Sequence, residues 1–396
     1  MNRRRRSLTF LALAASLQFG GCGPSESANA AQAPRGAENA GDIVIGAAWP
    51  WVARKDILYR QGLEMAVDQI NAAGGVKGRK LRMVFEDDNE SVNDGLIVAQ
   101  RLSSNPEVVA VIGHLQSYVT VPAASIYEGA GVLMIAPTSS DPALTSKGYR
   151  HVFRTISTDT ETGRQMAEYA AHQGYRRVAI YYVRSDYGRA LANAFEEHST
   201  GLGISVTARA SYEPSAMFDA RSFEPTLLQW KLLEIDAIFL AGEVPLAGRL
   251  IAEMRRLGLD QPVLGGDAMS IPELVTGGGA AVEGTVVAAA FHRAEPRPEV
   301  ARFTRAFQER YSTDPDPGAA LAYDAVYALA RALEHAKSGT PDDIARALRD
   351  LPAWAGVTGP IAFDDKGDLR SRDIIKLVVR GGRFEPVAAP KERRVE

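Results

Sequence analysis

The chain has 396 residues and a formal net charge of −3 at pH 7, enough for two domains with sizeable cores. Its composition is that of an ordinary globular protein with mixed charge, which offers no basic stripe to nucleic acid. One cysteine in the whole chain excludes a disulfide framework. The six histidines and that cysteine show no metal-ligand spacing, so neither a metal nor another cofactor is expected.

The N-terminus reads as a targeting segment. Arg3–Arg6 are basic and Leu8–Gly21 are apolar or small, a run of roughly 14 residues, too short to span a bilayer and suited to a signal-peptide core. Residues 1–21 are therefore expected to be removed on export. Cys22 follows Phe19-Gly20-Gly21, a junction that resembles a bacterial lipobox, although Phe19 stands where an aliphatic residue is usual. The resemblance implies that Cys22 is lipidated; ordinary signal-peptidase cleavage nearby is the alternative. Residues 22–41, rich in Ala, Gly, Ser and Pro, then form a lipidated tether with a mean reach of about 25 Å. The expected location is the periplasm or cell envelope, with membrane contact only through the lipid. Loss of four arginines and no acids takes the net charge from −3 to −7.

From Asp42 onward, strand-like and helix-like patterns alternate. Strands are expected at Ile43–Ala47, Leu81–Phe85, Val108–Ile112, Val132–Ile135, Val178–Tyr182, Ile235–Leu240 and Val286–Ala290. Helices are expected at Ile57–Asn71, Asn93–Leu102, Thr160–Gln173, Tyr187–Gly201, Phe223–Leu233, Pro245–Leu257, Pro298–Tyr311, Gly318–Lys337 and Pro341–Leu351. Gly74-Gly75 is a stop signal for the first helix, and Asn93 is a candidate cap for the second. Apolar strands alternating with helices argue for an α/β fold with parallel sheets covered on both sides. The repetition runs beyond one typical domain, so two doubly wound lobes are expected.

The stretch Val111–Thr145 is the most informative. It reads as strand, hydroxyl-rich turn, helix, strand and hydroxyl-rich turn. Ser or Thr at a helix start joins hydroxyls to unpaired backbone N–H groups, which suits a small anion such as a carboxylate. Ligands of open parallel sheets sit beyond the carboxyl ends of the strands. The residues there are Trp49-Pro50-Trp51, His114–Tyr118, Thr138–Ser140, Ser185–Tyr187, Glu243 and Asp267.

These residues, in this order, resemble the leucine/isoleucine/valine-binding proteins, solute receptors of ABC importers with the type I periplasmic-binding fold. The densest matches are Gln69–Gly78, Phe85–Asp88, Val111–Leu115, Ala123–Tyr127, Leu133–Pro137, Tyr187-Gly188 and Asp364–Leu369. The resemblance implies two lobes joined by a three-segment hinge, one at 42–158 plus 290–363 and the other at 159–289 plus 364–390. It implies an amino-acid-like ligand trapped between them by hinge closure, a membrane ABC permease as partner, and a monomer. By the family's pattern, Ser117, Thr138 and Ser140, with Ser139 beside them, hold the ligand carboxylate. Thr138 acts mainly through its backbone. Asp267 faces the ammonium, in place of the family's longer glutamate. Tyr187 packs on the ligand.

The departures bear on specificity. Glu243 stands where close relatives carry tyrosine, and beside Asp267 it sets two carboxylates in one cleft, which repel unless a cation or shared proton intervenes. Trp49 and Trp51 replace small residues in the first loop, with Trp49 the better candidate for ligand contact, while Arg54 and Lys55 are expected to be solvated. Positions Glu90 and Gln116 match a disulfide of some relatives, absent here. Gly318–Leu321 lacks the relatives' aromatic bulk. A simple branched-chain aliphatic ligand is therefore in doubt.

Catalysis is not expected. His114, Ser117 and Asp141 suggest a triad, but no G-x-S-x-G elbow accompanies them, and no phosphate-binding loop occurs. The second reading is a ligand-sensing module, for amides or amino acids, that signals to a partner protein.

Overall fold

The computed structural model describes residues 41–214, 222–370 and 372–387; the signal peptide, Cys22 and nearly all of the tether lie outside them. The chain begins with β1 (Ile43–Trp49), α1 (Tyr59–Ala72), β2 (Leu81–Asp87), α2 (Val92–Ser104), β3 (Val108–Gly113), α3 (Ser117–Gly129), β4 (Leu133–Ala136) and β5 (Val152–Arg154). It continues through α4 (Asp159–His172), β6 (Arg177–Val183), α5 (Asp186–Gly201), β7 (Ser205–Tyr212), α6 (Glu224–Trp230), β8 (Ala237–Ala241), α7 (Leu246–Arg256), β9 (Val263–Gly265), α8 (Glu273–Gly278) and β10 (Val286–Ala289). Last come α9 (Pro298–Tyr311), α10 (Pro317–His335), α11 (Pro341–Asp350), β11 (Trp354–Gly356), β12 (Gly359–Ile361), β13 (Ile375–Arg380) and β14 (Arg383–Pro386).

Two main sheets result. The first is all parallel, in the order β2-β1-β3-β4-β5. Its inner strands β1, β3 and β4 are apolar on both faces because both are covered. Along β1, Ile43, Ile45, Ala47 and Trp49 join one core with α1, α10 and α11, whereas Val44 and Ala48 join another with α2 and α3. The second sheet runs β14-β13-β10-β9-β8-β6-β7. Five of its strands are parallel, but β13 and β14 pair antiparallel at one edge, which the all-parallel expectation missed. Gly381 and Gly382 supply the positive φ angles of that hairpin turn. The strands β5, β7, β9, β13 and β14, together with the small β11–β12 pair, also escaped sequence reading. Several have only three or four residues, too few for a periodic signal. The cap of α2 is Ser91, whose hydroxyl accepts from Asp94 N–H, rather than Asn93.

The chain passes between the sheets after β5, after β10 and after β12. The third passage corrects one boundary. Residues 364–370, read from sequence as part of the second lobe, form a loop held against the edge of the first sheet. Arg154 N–H donates to Gly367 O (2.9 Å), and Phe363 bridges Leu369.

The Arg154 side chain anchors this contact. It is fully buried. Its Nε meets Asp368 Oδ1 at 2.5 Å, Nη2 donates to Thr145 Oγ1 (2.7 Å), and Nη1 donates to the carbonyls of Ser139 (3.1 Å) and Asp141 (2.8 Å). One guanidinium thus ties the Thr138–Asp141 turn to the Asp364–Leu369 loop. Only a planar fork with five donors serves all these acceptors. Arg154→Met leaves Asp368 and two carbonyls without their buried donor, and is expected to cost about 3 kcal/mol, measured as the shift in chemical denaturation. Arg154→Lys is expected to recover less than half of that loss.

Candidate functional site

Both sheets reverse strand order at one point. In the first sheet the reversal lies between β1 and β3; in the second it lies between β6 and β8. Loops leave such a point in opposite directions and open a crevice at the carboxyl ends of the strands. The end of β1 and the loops after β1 and β3, up to the start of α3, carry Trp49, Arg54, Leu115, Gln116 and Ser117. Those after β6 and β8 carry Ser185, Tyr187 and Glu243. A cavity of about 140 Å³ lies between the two sets.

Seven of the eight sequence candidates line this cavity: Trp49, Ser117, Thr138, Ser140, Tyr187, Glu243 and Asp267. Ser139 does not. It is fully buried and donates its hydroxyl to Ser117 Oγ (3.1 Å), so it stands behind the wall. Ser117 is the first residue of α3, and the cap residue before it, Gln116, makes no side-chain capping bond. The first helical bond at this end runs from Val119 N–H to Gln116 O (3.0 Å), which leaves the N–H groups of Ser117 and Tyr118 as helix-start donors. Thr138 spends its hydroxyl on the carbonyls of His114 (3.0 Å) and Leu115 (3.1 Å).

On the opposite wall, Tyr187 donates its hydroxyl to Asp267 Oδ1 (3.2 Å) and accepts from Ala268 N–H (3.3 Å). Gly266 permits this approach, because a Cβ there would lie 2.3 Å from the Tyr187 hydroxyl. Ser270 donates to Asp267 O (2.7 Å) and closes the turn. Glu243 accepts from the Ser185 hydroxyl (2.9 Å), a bond that spans the reversal between β6 and β8.

Several sequence expectations change in the folded chain. Trp49 stacks on Tyr59 with centroids 3.7 Å apart and is 1% exposed. It closes the cavity as part of the core and has little free ring face to stack on a ligand. Trp51 lies outside the cavity and donates its indole N–H to Glu86 O (2.9 Å). Arg54 is half-buried rather than fully solvated. It lines the cavity and grips Glu90 through Nε and Nη2, the latter at 2.5 Å. The positions of the missing disulfide are joined another way, by Gln116 Nε2 donating to Glu90 Oε1 (2.6 Å). The space freed at Gly318 is occupied by Ile57, whose Cγ2 lies 2.4 Å from where a Cβ would be. The suspected triad does not assemble. Both ring nitrogens of His114 are engaged, with Asp88 Oδ2 (2.7 Å) and the Tyr127 hydroxyl (3.1 Å), and His114 is fully buried.

The residue that sequence reading missed is Asp159, the first residue of α4. It is fully buried, and neither carboxylate oxygen has a hydrogen-bond partner of good geometry. Its N–H donates to Ser140 O (2.9 Å). Burial pushes its carboxyl well above the ordinary range, and the field of Asp267 adds to this, although the Ser140 hydroxyl beside it pulls its pKa down. Burial also raises the carboxyls of Asp267 and Glu243. For Glu243 the Ser185 hydrogen bond and then the nearby Arg54 charge pull the other way. The sequence signal for Asp159 is faint: an acid after Thr158 looks like any first-turn helix residue. Among the described residues no cluster of three or more His, Cys, Asp or Glu is arranged to hold a metal ion.

An acid whose pKa rises on folding holds its proton longer in the folded state, so its contribution to stability falls as pH rises through the window above the ordinary carboxylate range. The Asp159→Asn/Asp267→Asn double variant is therefore expected to gain about 1–2 kcal/mol over the ligand-free parent at pH 7.5. That gain shrinks at pH 5, where the parent's acids carry more protons. Thermal melts of both proteins at the two pH values measure it.

Known proteins share this architecture. A model of the periplasmic binding protein family matches residues 53–380. The leucine-, isoleucine-, valine-, threonine- and alanine-binding protein of Pseudomonas aeruginosa is 33% identical over 325 residues, 81% of this chain and 85% of that protein. An ABC transporter substrate-binding protein from Desulfitobacterium hafniense, solved in complex with Leu, is 38% identical, with a TM-score of 0.79 over 87% of this chain and 100% of that one. A leucine-binding protein from Thermotoga maritima gives a TM-score of 0.80 at 27% identity, over 87% of this chain and 98% of that one.

Proposed function

Because the chain belongs to the periplasmic binding protein family, we propose that it is the extracytoplasmic, lipid-anchored receptor of an ABC importer and captures an amino acid between its two lobes. One observation carries this reading: hydroxyls and helix-start N–H groups from the first sheet face carboxylates from the second across one cavity. A zwitterion matches that division. Its carboxylate meets Ser117, Ser140 and the start of α3, where a helix terminus favours negative charge. Its ammonium meets Asp267, with Asp159 adding negative potential from behind Ser140. The ammonium also relieves the repulsion between these acids. An enzyme would need an activated nucleophile or base, and His114 is committed elsewhere.

Groups on both lobes touch one small ligand in this reading, so binding favours the closed arrangement by the difference in contacts between the two states. Polar groups that are half-satisfied without ligand become paired on closure, so closure and affinity rise together. The lipid on Cys22 holds the receptor beside the permease without embedding it.

Calorimetric titration with L-amino acids is expected to show one-to-one binding. Ser117→Ala and Asp267→Ala should each weaken it by about 2–3 kcal/mol, since each leaves a buried ligand charge short of a partner. Unchanged affinity in Asp267→Ala would reject the ammonium contact. Ligand capture favours the ionised acids, so affinity is expected to fall between pH 7.5 and pH 5. For the anchor, Cys22→Ser expressed in a bacterium with a lipoprotein pathway should move the protein from the membrane fraction to the soluble fraction.

A further inference from the structure

The cavity wall also carries a polar cluster that the α-amino and α-carboxyl groups would not use in the reading above. Arg54 and Gln116 reach it from the first sheet and Glu243 from the second. Their bonds inside the protein are incomplete. Arg54 binds Glu90 through Nε and Nη2, which leaves Nη1. Gln116 donates its amide nitrogen to Glu90, which leaves its amide oxygen. Glu243 spends Oε1 on Ser185, which leaves Oε2. None of these three remaining atoms has a hydrogen-bond partner among the described residues.

Two acceptors and one donor therefore meet across the cleft. An aliphatic side chain would leave all three unpaired on closure, which buried polar groups do not tolerate without loss of affinity. A cationic side chain would face the Arg54 guanidinium. An anionic one would face Glu243, with Glu90 close behind. A carboxamide satisfies all three atoms with no net charge: its oxygen accepts from Arg54 Nη1, and its two N–H bonds point to Glu243 Oε2 and Gln116 Oε1. Glu90, which holds both Arg54 and Gln116, fixes this frame from behind. The mutual field of Arg54 and Glu243 fits their facing one another across the cleft.

We propose that the ligand is an amino acid whose side chain ends in a carboxamide, of the glutamine and asparagine class, read jointly by Arg54, Gln116 and Glu243. This rests on the amino-acid-receptor reading and narrows it. It sets the chain apart from the relative solved with Leu. Sites built to hydrogen-bond a polar substrate group reject the apolar isostere strongly, so a large ratio is expected.

The test is calorimetric titration of the full chain with L-glutamine, L-asparagine, L-leucine, L-glutamate and L-lysine. Glutamine or asparagine is expected to bind at least tenfold more tightly than each of the other three. Glu243→Leu, in a partly exposed loop, is expected to narrow the ratio of amide to leucine affinity at least tenfold, while leaving the melting temperature of the free protein within a few degrees. Leucine binding the parent as tightly as the amides would overturn the inference and leave the amino-acid reading standing, and so would a preference for lysine or glutamate. Binding of none of the five would overturn both.

Discussion

The buried guanidinium of Arg154 is the constraint on which the site rests. It lies at the end of β5, where the chain leaves the first sheet for the second. Through Ser139 O and Asp141 O it fixes the backbone of the turn that bears Thr138 and Ser140. Through Asp368, with the Arg154 backbone N–H on Gly367 O, the residue holds a loop more than two hundred residues away in sequence. A charge with no contact with water persists only when every donor is placed and an opposite charge compensates it. That requirement makes the turn rigid, and a rigid turn keeps its hydroxyls and N–H groups aimed without ligand. Preorganisation of this kind lowers the cost of ordering the site on binding.

The second organising feature is a concentration of buried acids around the cleft. Asp159, Asp267 and Glu243 all resist ionisation, chiefly because burial strips them of water. Such acids cost stability in the empty protein and are compensated when a positive or donor group arrives. Arg54 supplies part of the compensation in advance. The Arg54–Glu90–Gln116 network also ties together the loops after β1, β2 and β3. It stands where some relatives carry a covalent crosslink, so loop attachment here is polar and contributes free hydrogen-bonding capacity to the cavity wall.

Much of the fold was legible in the sequence. The long helices with one apolar stripe, such as α9, and the fully apolar strands, such as β3, declare themselves by period and by length. Ser117, Ser140, Tyr187, Glu243 and Asp267 could be singled out because they follow strand ends in a pattern like that of known receptors, and in the structure they line one cavity. The strands of three or four residues were not, because so few residues carry no period, and the β13–β14 edge hairpin reads only as a partly buried, mixed polar stretch. Arg54 was read as solvated because an Arg-Lys pair in a polar loop ordinarily is; its partner Glu90 is 36 residues away. Trp49 looked free to stack on a ligand, since nothing local reveals that Tyr59 covers its face.

The sequence by itself determined the alternation of strands and helices, the two-lobed architecture, and the residue types at each strand end. These follow from local rules of period, capping and chain direction. Tertiary structure decided which of those residues share a cavity, and which are held behind it, as Ser139 is. It also decided that an unremarkable helix-start acid, Asp159, lies buried and unpaired beside Ser140. Hydrogen-bond capacity left over after folding depends on partners remote in sequence. What the cavity can recognise is therefore set by packing rather than by any local motif.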